Sequence, residues 1–132
     1  MSSRLDFTDG DVTTTPAGRA EAAAEALRTL NHLTLAAPSP GMPGWEDVGD
    51  IYRLLGELRV VADRLPQVYD QVTTALQRLG ERRDWRADNG TTEHPDEVVA
   101  TAVEGLQVAG CVAEDLGWNL QQAHCAVAHL YQ

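Results

Sequence analysis

The sequence contains no lysine. Its ten basic residues are all arginine, set against twenty acids, for a net charge of −10. Every arginine lies within residues 1–86, so residues 87–132 carry acids and no counterbalancing arginine. A surface of this sign repels phosphate over most of its area, because nucleic-acid binding depends on clustered cations. Nucleic acid is therefore not the expected partner. Aromatic residues are scarce as well, at 5% with a single Phe. A core without them rests on Leu, Val and Ala. Helices accommodate that, since Ala is the best helix former, whereas strands usually draw on β-branched and aromatic residues.

Other absences narrow the class further. Two cysteines do not make a secreted disulfide scaffold. No apolar run approaches the roughly 18 residues of a membrane span, and MSSRLDFTDGDVTTT lacks the basic start and apolar stretch of a secretory signal. A cytoplasmic protein without membrane contact is expected. There is no Gly-rich phosphate loop, nucleophile elbow or HExxH motif. Neither an enzyme nor a cofactor is expected.

What remains is helical periodicity. Residues 1–14 are polar and read as a disordered arm, leaving 15–132 as a helical bundle domain. A first helix is expected after TTTPAGR, with Thr15 as N-cap and Pro16 at the first position. It must stop before APSPGMPG, residues 37–44, a rigid connector. A second segment carries Val48, Ile51, Leu55, Leu58, Ala62 and Leu65 at alternating steps of 3 and 4, the spacing of one helix face.

Pro66 interrupts that segment, yet Tyr69, Val72, Leu76 and Leu79 continue the same register beyond it. Unbroken register favours a bend in one helix. The bias of residue 65 against helical geometry keeps a break open, which makes four helices instead of three. RADNGTTEHP, residues 86–95, is a loop, and Pro95 opens a last helix carrying Val99, Ala102, Leu106, Ala109, Ala113, Leu116, Leu120, Ala123, Val127 and Leu130. The two long stripes match in length. Folded back as an antiparallel hairpin, they place Ala62 opposite Leu116, Leu65 opposite Ala113, and Pro66 near Gly110 and Ala113. The expected fold is all-α, a helical hairpin or bundle of three long helices. The first helix is half as long as the hairpin and reaches only its Val48 end. A half-bare hairpin is completed by a second copy, so a homodimer is expected.

A few residues stand outside this pattern. Cys111, Trp118 and Cys125 recur every seven residues on the back of the last helix, with Val108 beside them. The plain reading is a second buried apolar strip; the functional one is a partner contact. Cys125 and His129, or Cys111 and Asp115, are spaced to share a metal, but one helix supplies two ligands where structural zinc takes four. No metal is expected. Arg78, Arg82 and Arg86 lie along one face with Arg83 nearby. They suit a helix C-terminus, or else mark the contact of a small dimeric DNA-binding regulator. EAAAE (Glu21, Glu25) and EDVGD (Glu46, Asp47, Asp50) invite comparison with the carboxylates of all-α, metal-dependent nucleotide pyrophosphatases. Dipole stabilisation in first turns explains them more simply.

TPAGRAEAAAEALRTLNHLTL and DIYRLLGELRVVADRLPQVYDQV resemble segments of uncharacterised small α-helical proteins of actinobacteria. That resemblance covers about a third of the chain and implies a helical fold in a cytoplasmic setting, with no functional residue. The small secreted helical-hairpin family with a Trp-x-Gly turn is excluded, since WRADNG stands where its motif belongs. The reading as a whole is a non-enzymatic helical module for protein–protein interaction.

Overall fold

The computed structural model describes residues 14–82 and 94–130. The expected arm lies outside them but for Thr14, as do Arg83, Trp85, Arg86 and most of the expected 86–95 loop. The described residues form three helices and no strand: α1 (Pro16–Leu33), α2 (Val48–Gly80) and α3 (Pro95–Val127). Contacts divide the chain into two units, Met1–Asp47 and Val48–Gln132.

In the first unit, Thr15 caps α1 as its spacing before Pro16 requires. The Thr15 Oγ1 accepts a hydrogen bond from the Gly18 amide at 2.9 Å, which satisfies one of the open N–H groups of the first turn. At the other end, the Thr34 amide and hydroxyl both donate to the Leu30 carbonyl, each at 3.0 Å. The connector that follows is more than a run of prolines. Trp45 Nε1 donates to the Ala36 carbonyl at 2.7 Å. The Ser39 amide donates to the Trp45 carbonyl and the Trp45 amide to the Met42 carbonyl. Gly41 and Gly44 take φ of 90° and 78°, which side chains resist. Glu46 Oε2 accepts from the Gly41 amide at 3.0 Å. Trp45 thus staples a closed loop. α2 consequently starts later than its acids suggest: Asp50 lies in its first turn, while Glu46 belongs to the loop.

The second unit is the hairpin. α2 and α3 have 33 residues each, roughly 50 Å at 1.5 Å per residue. Pro66 lies inside α2, which runs through it as a single helix. Of the two outcomes open in the sequence, the unbroken helix is the one found, so the described residues form three helices and not four. Packing on both sides of Pro66 carries the chain through, although the Ala62 carbonyl forfeits its usual amide donor.

α3 begins with a cap that the sequence does not advertise. His94 Nδ1 accepts from the Asp96 amide at 3.1 Å, and the His94 amide donates to Glu97 Oε1 at 3.0 Å. This is a capping box with histidine in the place usually held by Ser or Thr. His94→Ala is expected to cost about 1 kcal/mol in chemical denaturation, and His94→Asp to restore most of it.

Candidate interaction surface

The seam of the hairpin is built from small residues. Ala62 is 1% exposed and Ala113 is 4% exposed, and these are the buried apolar side chains among the described residues; none of the large ones is fully buried. Thr73 is also buried and returns its hydroxyl to the Tyr69 carbonyl at 2.9 Å. Gly56 faces His124, and Gly117 faces Asp63 and Ala62. The His124 ring stacks on Tyr52 with centroids 4.2 Å apart. These pairs fix two antiparallel helices.

They also correct the expected register. Ala62 meets Gly117, not Leu116, and Leu116 is 46% exposed. One line of each expected stripe lies in the seam: Val48, Leu55, Ala62, Tyr69 and Leu76 on α2, with Val99, Leu106, Ala113, Leu120 and Val127 on α3. On α3 the second line is not the one expected: Val103, Gly110, Gly117 and His124, four beyond, are more covered than the residues three beyond. On α2 Thr73 of the four-beyond line is buried, while Pro66 and the expected Ile51, Leu58 and Leu65 are alike half-buried. The small side chains there bring the helix axes together, since interaxial distance follows the residues at the contact. Leu116 in the seam at Ala62 would hold the axes apart.

This rotation splits the hairpin into two unlike sides. At 100° per residue, a line to one rotational side of the seam on α2 lies on the same side of the hairpin as its counterpart on antiparallel α3. One side is polar. Pro66, Asp70, Thr73, Gln107, Gly110 and Glu114 line an open groove there. Arg59 meets Asp63 at 3.7 Å in a largely exposed pair of little energetic weight.

The other side is uncharged. On α2 it consists of Ile51, Leu58, Leu65, Val72 and Leu79, with Leu54, Val61, Val68 and Ala75 farther out. On α3 it consists of Ala102, Ala109, Leu116 and Ala123, with Val98, Gly105, Val112, Asn119 and Ala126 farther out; the expected Leu130 lies beyond the end of the helix. No ionisable side chain occurs among them, in a chain that is 23% charged. Val61, Val68, Val72, Leu79, Val98, Val112 and Leu116 are all exposed, and all lie toward the α2–α3 turn or the middle of the hairpin.

The individual candidates fall elsewhere. Cys111, Trp118 and Cys125 do share one line of α3, but it is the outward one, and the single chain does not bury them. Both cysteines are exposed and Trp118 is 62% exposed. Val108 is exposed beside them. Arg78 ends α2 and Arg82 follows it, both exposed, while Arg83 and Arg86 lie outside the described residues. Glu81, Asp96 and Glu97 share that end of the hairpin. His129 lies beyond the end of α3. Among the described residues no three His, Cys, Asp or Glu side chains converge, and no helix is long and apolar enough to cross a membrane.

The glycines of α3 test this arrangement. A Cβ at Gly110 meets nothing within 4 Å, so Gly110→Ala is expected to stabilise the helix by about 1 kcal/mol. A Cβ at Gly117 would stand 2.7 Å from Asp63 Oδ1 and 3.9 Å from the Ala62 Cβ. Gly117→Leu must part the helices there, at a cost of roughly 1–3 kcal/mol. Opposite shifts in the thermal midpoint are the expected outcome.

Comparison with known proteins finds no matching family model, no matching curated protein and no matching solved structure.

Proposed function

We propose that the chain is a non-enzymatic helical interaction module that works as a homodimer, with the uncharged side of the hairpin as its contact surface. The observation that carries this reading is the segregation of charge. Apolar residues scattered over a surface are ordinary, but a continuous apolar face without one ionisable group marks a contact site.

Size supports the same reading. Two helices of roughly 50 Å lying side by side present about 1,000 Å², against about 800 Å² per partner in a standard interface. The hairpin alone fully buries no large side chain, so it gains much by association. A second copy suits an acidic chain, since the face brings none of its charges into the contact. The Arg78 end favours no DNA reading, because Glu81, Asp96 and Glu97 offset its described cations. Co-expression of tagged and untagged copies tests the proposal. The untagged chain is expected to co-purify in stoichiometric amount; its loss in the wash would contradict the dimer.

A further inference from the structure

We infer that the two copies meet about a two-fold axis parallel to the helices, so that α2 of each lies over α3 of the other and both α2–α3 turns point the same way. This rests on the proposed dimer and adds its geometry. The two helices contribute unequally to the uncharged face. The α2 line nearest the seam is large throughout: Ile51, Leu58, Leu65, Val72, Leu79. The matching α3 line is mostly small, with Ala102, Ala109 and Ala123 beside a single leucine, Leu116. The face is thus a ridge beside a trough.

A closed two-fold dimer of such hairpins has two ways to stack face to face. With the axis across the helices, α2 lies on α2, large on large, and α3 lies on α3, leaving a gap along the alanines. With the axis along the helices, each ridge enters the other copy's trough, the interdigitation that a packed interior requires. The levels agree. Gly56 is level with His124 and Asp63 with Gly117. Leu58 of one copy therefore lies over Ala123 of the other, Val72 over Ala109 and Leu79 over Ala102. Leu65 over Leu116, at mid-length, is where two large residues meet. Every neighbouring pair in the resulting four-helix bundle is antiparallel.

Disulfide trapping tests this. In a background carrying Cys111→Ser and Cys125→Ser, Leu58→Cys protein and a tagged Ala123→Cys protein are mixed, allowed to exchange subunits and mildly oxidised. The mixed disulfide is expected in about tenfold excess over either homodisulfide, because the bond needs Cβ atoms within roughly 4.5 Å. A separate Leu65→Cys variant is expected to stay reduced. A Leu65→Cys homodisulfide formed without the mixed product would place the axis across the helices and overturn the geometry while leaving the dimer standing. A dimer by light scattering that traps neither pair would put the contact on another surface and also overturn it. A monomer that traps nothing would overturn the dimer and its geometry together.

Discussion

Val72→Asp is expected to convert the dimer into monomers. Val72 is 44% exposed in the single chain and sits mid-face, clear of the seam. In the proposed dimer it is covered, so the substitution loses the burial of a valine and places a carboxylate among Leu and Ala with no cation nearby. Burying an unpaired charge is costly, and about 3 kcal/mol per copy is a modest figure. Symmetry imposes it twice, so roughly 6 kcal/mol is lost per dimer, about four orders of magnitude in Kd. Sedimentation velocity reads the change directly. Gln107→Asp serves as the control, since Gln107 lines the polar groove and adds only to charge already there. If both variants retain the wild-type mass, the uncharged face is not the interface. Because the hairpin fully buries no large side chain by itself, helical content is expected to become concentration-dependent in Val72→Asp, as in dimers whose folding is coupled to association.

Pro66→Ala carries the second large effect, in the opposite direction. Proline inside a helix costs about 3 kcal/mol, through the missing amide and the clash of its ring with the carbonyl one turn back. Here that carbonyl belongs to Ala62, the most buried side chain of the seam. Alanine supplies the amide and fits the same small space. Some ring contact along the groove beside Gly110 is lost. A net gain of about 2 kcal/mol is expected, raising the thermal midpoint by several degrees. Pro66→Gly returns the same amide but adds backbone entropy, and it should give a gain smaller by about 1 kcal/mol. Destabilisation by Pro66→Ala would mean that the contacts of the proline ring are needed for the two helices to pack.

Much of this fold is visible in local chemistry. Thr15 before Pro16, the proline-rich connector and Pro95 before two acids mark helix ends by mechanisms that hold in the structure. The register continuing across Pro66 points toward the single α2 that is found. One seam line of each helix can also be read directly, because residues seven apart share a face. The other line cannot. A residue three beyond and a residue four beyond both satisfy the 3-4 alternation, and they lie on opposite sides of the seam. Leucines at 58, 65 and 116 draw the eye to the three-beyond line as core. The hairpin instead closes most tightly at Thr73 and Gly117; Leu58 and Leu65 stay half-buried and Leu116 is exposed. Gly117 was the available signal, since glycine in a helix interior is unfavourable unless something must approach closely. The caps involving His94 and the stapling by Trp45 depend on side-chain reach that residue type alone does not encode.

The most direct measurement of the central claim is the molar mass of the untagged wild-type chain by light scattering at micromolar concentration. The expected value is about twice the 14.3 kDa of the single chain, falling to the single-chain mass in Val72→Asp at the same concentration. A wild-type chain that stays at 14.3 kDa across a concentration series would contradict the account.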